Sequence, residues 1–200
     1  MILNPESYSI TRRQVRNARI SINHEMQIKI TIPLWYRERE VMQLLKEKQP
    51  WIEKQLIHFE KEKKNVILPR DGEILFLGES IIPGFDCTDP KQLHNFYISR
   101  AREEFGMWTL RLAEEHGFTF SKLTIRNQKT RWGSCSKKKN ISLNWKLIKT
   151  PPHVMEYVIL HELTHTQYFD HSLSFWKRLE EVCPDYKIAL NWLKKHGRYL

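Results

Sequence analysis

Residues 157–165 read Tyr-Val-Ile-Leu-His-Glu-Leu-Thr-His, and the fold is best worked out from this stretch. An apolar run leads directly into a His-Glu-x-x-His motif. On a helix, residues four apart differ by about 40° of rotation, so His161 and His165 project side by side and can bind one metal ion. Glu162 lies at the edge of that face, where a carboxylate can take a proton from an attacking water. The alternative is an ordinary helix with two unrelated histidines and a surface glutamate.

A third metal ligand is expected, since catalytic zinc usually has three protein ligands and an open position. His171 follows His165 by six residues, too far for the same helix face, so the chain must turn back. Asp170 tolerates the left-handed conformation that such a turn often needs. Glu180 or Glu181 would instead complete a site of two histidines and one glutamate. We prefer His171 and expect Zn²⁺ as the ion.

Composition excludes several classes of protein. The chain has 200 residues, of which 40% are hydrophobic and 12% aromatic, too rich in core-forming side chains for a disordered protein. No apolar run approaches the roughly 18 residues of a membrane span. Three widely spaced cysteines favour neither a disulfide framework nor a cysteine zinc site. Because the start also lacks a secretory signal pattern, we expect a cytoplasmic protein with no membrane partner.

The formal charge of +10 is concentrated in one segment. Residues 119–150 contain nine basic residues and no acidic one. A local basic segment suggests an anionic partner, with nucleic acid as the first candidate. The alternative is a solvated hairpin, because Lys137, Lys138 and Lys139 lie in a predicted turn.

The alternation of apolar residues predicts an α+β protein with a β-rich N-terminal part, residues 1–90, followed by a helix–antiparallel sheet–helices part, residues 91–200. The predicted elements are a hairpin over 18–33 with its turn at 23–25, helical spacing over 36–64 interrupted by Pro50, a small antiparallel element over 68–83, a helix over 92–117, strands over 122–127 and 140–146 joined across the basic turn, and helices after Pro152, Ser172 and Pro184.

Several motifs together resemble the YgjP-like metallopeptidases, a gluzincin-like family related to SprT. The resemblance extends over nearly the whole chain. Its motifs are Arg131-Trp132-Gly133-Ser134-Cys135, Ile141-Ser142-Leu143-Asn144-Trp145, the stretch 157–165, Asp170-His171-Ser172 with Phe175-Trp176, and Pro184-Asp185-Tyr186.

The resemblance implies a zincin-like metallopeptidase that cleaves a peptide or protein substrate, with zinc on His161, His165 and His171 and Glu162 as the general base. Residues 161–175 also look like the Wss1-type (WLM) proteases, which act on proteins crosslinked to DNA. A nucleic-acid-associated protease is therefore the first alternative function. A non-enzymatic, zinc-stabilised binding module is the second.

Further candidates surround the metal motif. We expect Trp132, with Ser142 and Asn144 on the following strand, to form a wall of the substrate cleft, where a peptide can bind by adding a strand. Trp132 can equally serve to anchor the hairpin to the core. Tyr186 is the candidate donor that stabilises the oxyanion. Cys135 reads as a small buried residue, since a nucleophile would need a histidine that is not committed to metal.

Overall fold

The computed structural model describes residues 8–23, 26–64 and 69–200, without the side chains of 61–64. The described residues up to 64 form one compact unit, and residues 69–198 form another. The predicted fold class, α+β with a β-rich start followed by a largely helical part, is confirmed. None of the helices in the described part of the chain is both long and apolar enough to span a membrane.

The first unit is a three-stranded sheet and one long helix. The predicted hairpin is present, although His24 and Glu25 of its turn lie outside the described residues. The sequence did not predict the first strand, which pairs in parallel with the third. The helix continues through Pro50 without a second start. The elements are β1 (Tyr8–Arg13), β2 (Arg19–Ile22), β3 (Ile28–Pro33) and α1 (Glu38–Lys64), with strand order β1-β3-β2.

The second unit contains the remaining elements. They are β4 (Ile74–Phe76), β5 (Glu79–Ile81), α2 (Pro90–Glu115), β6 (Lys122–Arg126), β7 (Gly133–Cys135), β8 (Asn140–Asn144), α3 (Pro152–Thr164), α4 (Leu173–Val182) and α5 (Tyr186–His196). A 3₁₀ turn, Trp145–Lys149, connects β8 to α3. Residues 69–89 therefore belong with this unit, whereas the sequence placed the boundary near residue 90. The reason is that Leu77 N donates to Ile148 O and Tyr97 Oη donates to Leu75 O.

The sheet of the second unit is mixed, which corrects the predicted antiparallel pairing of 122–127 with 140–146. Its order is β6-β8-β7; β8 runs parallel to β6 and antiparallel to β7. The short strand β7 takes the hairpin position beside β8, and the basic turn joins those two strands. Asn144 fixes this topology, because its Nδ2 donates to the carbonyls of Gln128 and Arg131 in the connection that precedes β7.

Helix α3 lies at the centre of the second core. Pro152 occupies its first turn, where a proline needs no hydrogen-bond acceptor. The helix contacts α2, α4, α5, β7 and β8. It is apolar on nearly every side, which is typical of a fully buried helix. Its buried residues are Val154, Met155, Tyr157, Val158, Ile159, Leu160, Glu162, Leu163 and Thr164.

Candidate metal centre

The C-terminal half of α3 places His161 and Glu162 at the inner end of the site. His161 lies in its last turn and His165 is the C-terminal capping residue, still in helical conformation. The two imidazole rings are 4.9 Å apart, centroid to centroid. The predicted projection of both histidines from one helix face is therefore present.

The turn after α3 brings His171 back towards the helix. Tyr168 N donates to Thr164 O, and His165 Nδ1 lies 2.9 Å from Tyr168 O. Asp170 does not adopt the left-handed conformation that the sequence suggested. Its Oδ1 instead accepts a hydrogen bond from Ser172 N, and this side-chain turn reverses the chain with ordinary dihedral angles.

Three imidazoles converge where the chain has turned back. One ligand atom from each of His161, His165 and His171 lies within 4.8 Å of the other two. The Nε2 atoms of His161 and His171 are 3.2 Å apart. Two nitrogens at tetrahedral corners, each about 2.0–2.1 Å from one zinc ion, are about 3.3–3.4 Å apart. The spacing of this pair therefore fits a shared tetrahedral metal.

The chemistry of the ring nitrogens also fits a metal ligand set. Because a carbonyl accepts only, the Tyr168 carbonyl fixes the proton of His165 on Nδ1 and leaves Nε2 with a free lone pair. Burial, reinforced by the two other histidines, lowers the pKa of His161 to about 3. Burial also lowers the pKa of His165, although the bond to Tyr168 opposes this shift. Neutral imidazole is the form that binds metal.

The alternative third ligands point elsewhere. Glu180 pairs with Lys187 Nζ at 3.2 Å, and Glu181 pairs with Arg178 at 3.3 Å. Neither glutamate belongs to the metal-binding group found among the described residues.

Aromatic rings of α4 support the three histidines. Phe175 is fully buried, and its ring centroid lies within 4.5–4.9 Å of all three imidazole centroids. Trp176 stacks on His171 at 5.7 Å. These contacts with Phe175 and Trp176 hold the imidazole rings in place before any ion binds.

Glu162 occupies a nearly dry position beside the histidines. It is only 5% exposed, and its Oε2 has no hydrogen-bond partner among the described residues. Burial raises its pKa to about 8, and the guanidinium of Arg131 opposes that rise. A buried carboxyl of raised pKa in a cleft is typical of an acid–base group.

Gly133 lets Glu162 lie there. A Cβ atom at position 133 would lie 2.5 Å from Glu162 Oε1 and 2.7 Å from its Cγ. The first residue of β7 and the carboxylate of α3 are therefore in direct contact, and only a glycine fits at this point.

Cys135 lies on the same strand but does not have the character of a nucleophile. Burial raises the pKa of its thiol to about 11, with a smaller contribution from the charge of Glu162. The thiol therefore stays protonated near neutral pH, which agrees with the interpretation of Cys135 as a packing residue.

The predicted cleft residues separate into two groups. Trp132 lines a pocket that also contains Glu162 and His161. Ser142 and Asn144 do not line it: both are buried in β8, where Ser142 Oγ bonds to Thr124 Oγ1 and Asn144 holds the connection before β7. Their hydroxyl and amide groups are used within the sheet.

Tyr186 lies near the histidines through an aromatic stack. Its ring stacks on Trp176 at 5.7 Å and on Tyr157 at 6.4 Å. Trp176 contacts His171, and Tyr157 contacts His161. The phenol is therefore two ring contacts away from the histidine nitrogens.

Comparison with known proteins shows the family. The model of the YgjP-like, metallopeptidase domain family matches residues 16–82 and 86–196, which is most of the chain. The chain belongs to the YgjP-like family. As a YgjP-like protein it is a metal-dependent peptidase hydrolase, so a non-enzymatic binding module is no longer supported. No curated protein matches the chain.

Two solved structures share a limited likeness with this YgjP-like protein. The metallopeptidase zymogen of Pyrococcus abyssi, abylysin, is 24% identical, with a TM-score of 0.41 over 46% of this chain and 97% of that one. The metallopeptidase zymogen of Methanocaldococcus jannaschii, jannalysin, is 21% identical, with a TM-score of 0.37 over 44% of this chain and 93% of that one.

Sequence reasoning missed part of the site. The contact of Gly133 with Glu162 and the pocket residues Leu190 and Lys194 on α5 were not among the candidates. Leu193 lines the same pocket. The signal for these α5 residues was available in the spacing of 190, 193 and 194, which lie on one helix face.

Proposed function

We propose that this YgjP-like protein is a zinc-dependent peptidase in which His161, His165 and His171 hold the ion and Glu162 is the general base. The convergence of three imidazoles beside a buried carboxylate carries the proposal. The exposed position of His171 supports it too, because that side of the cluster is open to a substrate. The bound metal supplies Lewis-acid activation of the scissile carbonyl and of the attacking water.

The residues of the chain perform the proton transfers. Glu162 accepts the proton of the attacking water on its carboxylate and returns it to the nitrogen of the leaving amine. Its buried Oε2 accepts no hydrogen bond from any described residue, so an acceptor position of the carboxylate is unused. Arg131 stabilises the ionised form that must be present before the attack.

Tyr186 is our candidate for the second donor to the oxyanion, beside the metal. The stack with Tyr157 and Trp176 supports this role, because it holds the Tyr186 ring on the histidine side of the molecule.

The test of this function uses Glu162→Gln. The amide keeps the shape of the side chain but cannot take a proton, so we expect one zinc ion per chain and a fall in kcat of about 10³-fold. Glu156→Gln on the same helix is the matched control and should keep full activity. Zinc content is measured by mass spectrometry and hydrolysis with an unstructured protein substrate. An undiminished rate in Glu162→Gln would overturn the proposal.

A second candidate function is peptidase action close to nucleic acid. The observation in its favour is that six of the nine basic residues in the acid-free segment are exposed and make no ion pair with any described residue. They are Lys122, Arg126, Lys129, Arg131, Lys137 and Lys138. The other three, Lys139, Lys146 and Lys149, are only half-exposed, and Lys139 Nζ donates to Thr119 Oγ1.

Salt dependence tests this second candidate. Binding to duplex or single-stranded DNA should weaken linearly on a log–log plot against salt. The double variant Lys137→Gln/Lys138→Gln should lower that slope by about 1.4–1.8, depending on the strand form. Lys91→Gln/Arg102→Gln on the exposed side of α2 is the control with the same charge change. If the protein does not bind DNA at low salt, or if both double variants give the same salt slope, the proposed action close to nucleic acid is wrong.

A further inference from the structure

A pocket of about 420 Å³ opens directly beside Glu162 and His161. Its volume is at the lower end of the roughly 300–1,000 Å³ of small-ligand clefts. There is space for one large side chain rather than for an extended ligand.

Helix α3 forms one wall of this pocket with the face that carries the proposed base. Val158 lies one helical turn before Glu162, and Tyr157 lies one turn before His161. Both side chains are about 95% buried. A substrate bound at Glu162 therefore meets an apolar surface immediately next to the reacting carbonyl.

Helix α5 and the start of β7 form the other walls. Leu190 and Leu193 of α5 face the pocket, and Trp132 adds an aromatic surface. With Val158 and Tyr157 these side chains make the lining predominantly apolar. Burial of an apolar side chain against such walls is favourable in proportion to the area removed from water.

The pocket lining contains two charged groups of opposite sign. Glu162 is the buried one, with 5% of its surface exposed. Lys194 lines the pocket from α5, is exposed, and makes no ion pair among the described residues. A substrate lysine or arginine entering here would bring a second cation close to Lys194, and like charges at a contact disfavour binding.

We propose that this pocket binds the substrate side chain that flanks the scissile bond, that it selects a large neutral apolar side chain, and that Lys194 excludes lysine and arginine. The inference rests on the peptidase function proposed above and adds the substrate class. Lys194 acts here as a specificity-determining residue.

The experiment uses a peptide series in which each position flanking the scissile bond is Phe, Leu, Ala or Lys. At the position that occupies the pocket, the zinc-loaded protein should favour Phe or Leu over Ala by about 30- to 100-fold in kcat/KM. The Lys peptide should be cut more slowly than the Ala peptide. Equal kcat/KM across the series would overturn the inference.

Two variants separate the apolar walls from the charge. Leu190→Trp fills the pocket, so the preference for Phe over Ala should fall at least tenfold while the Ala peptide is still cut, which also shows that the variant is folded. Lys194→Glu should raise kcat/KM for the Lys peptide at least tenfold. Lys195→Glu, which makes the same charge change at an exposed residue outside the pocket, should not. An unchanged preference in Leu190→Trp, or equal effects of the two lysine variants, contradicts the assignment.

Equilibrium binding keeps this inference distinct from the peptidase proposal. The Glu162→Gln protein should bind the peptides in the same order, Phe and Leu before Ala before Lys. If Glu162→Gln binds the peptides in this order but the parent protein cuts none of them, the peptidase proposal is refuted and the pocket assignment is still supported. Hydrolysis without any order in binding would refute the pocket and leave the peptidase proposal standing.

Discussion

At the residue scale, the site depends on a carboxylate that is kept nearly dry by its neighbours. Glu162 is enclosed by the backbone of Gly133 on one side, and the positive charge of Arg131 acts on it electrostatically. A dry environment raises the pKa of a carboxyl, whereas a nearby cation lowers it. The two effects place the pKa of Glu162 at about 8, which suits a group that takes up and releases a proton within one reaction cycle.

The first prediction concerns Gly133→Ala. A methyl group there would overlap the Glu162 carboxylate, so Glu162 must shift from its position beside the histidines. We expect kcat/KM to fall about 10²-fold, the cost of misplacing a reacting group, while zinc content stays the same.

Gly106→Ala is the control for this change. Position 106 lies in α2, where an added Cβ would meet nothing within 4 Å. The Gly106→Ala variant should have the same kcat/KM as the parent protein. Parent-level kcat/KM in Gly133→Ala would show that the contact with Glu162 does not position the carboxylate.

The convergence of the three histidines next to Glu162 could be predicted from the sequence, because the pattern that indicates it is local. His161, Glu162 and His165 follow from helical spacing, and His171 follows from the short turn after α3. The contact between Gly133 and Glu162 joins two residues that are 29 positions apart in the chain and lie on different elements, so no local pattern indicates it. The roles of Ser142 and Asn144 depend on strand pairing for the same reason.

At the scale of elements, the β4–β5 hairpin is attached to the connection that leads into α3. Leu77 and Gly78 form its turn, with φ angles of 49° and 83°. Their amides donate to the carbonyls of Ile148 and Lys149. A hairpin turn of this kind requires positive φ at both central residues, which explains the glycine.

The second prediction follows from this turn. Gly78→Ala places a Cβ in a left-handed conformation and 2.8 Å from the Cα of Pro151, the residue before α3. We expect a loss of about 1–3 kcal/mol in the free energy of unfolding, measured by urea denaturation. Gly84→Ala, with ordinary φ and open space around the new atom, should change it by less than about 0.5 kcal/mol. Equal urea midpoints for Gly78→Ala and Gly84→Ala would show that the attachment of the β4–β5 turn to the connection before α3 does not stabilise the fold.

Most elements, but not all of their pairings, could be read from apolar periodicity. The helices after Pro152, Ser172 and Pro184 begin close to their predicted positions. The pairing of 122–127 with 140–146 was predicted in the wrong direction, because alternation marks a strand without indicating its neighbour. The three-residue strand β7 is too short to give a signal of its own.

At the scale of the whole molecule, the basic segment is not uniform. Most of its positive groups are exposed, but Lys149 lies over the rings of Tyr97 at 4.6 Å and Trp145 at 5.2 Å. Burial, with a smaller contribution from Lys146, lowers the pKa of Lys149 to about 8. The favourable ring contacts therefore do not fully offset the loss of hydration of the ammonium group.

The third prediction is the pH dependence that this lysine causes. In the unfolded chain its pKa is about 10.4, so between pH 8 and 10.4 the unfolded state binds more protons than the folded state. The contribution of Lys149 to stability must therefore rise as pH rises through this window. The full change is on the order of 3 kcal/mol.

Lys149→Met isolates that contribution, because it keeps most of the apolar stem and removes the charge. The difference in free energy of unfolding between parent and Lys149→Met should shift in favour of the parent from pH 8 to pH 10.4, as measured by urea denaturation. Lys137→Met, which removes a positive charge from the exposed basic turn, is the matched control measured at the same pH values. A pH-independent difference for Lys149→Met would contradict the assigned pKa.

The proposed peptidase chemistry requires that the three histidines bind one catalytic ion. The most direct measurement is anomalous diffraction at the zinc absorption edge from crystals of the zinc-loaded protein. We predict one peak, about 2.0–2.1 Å from an imidazole nitrogen of each of His161, His165 and His171, with no fourth protein ligand. A peak bound by Glu180 or Glu181, a closed site with four protein ligands, or no peak at the three histidines would contradict the account.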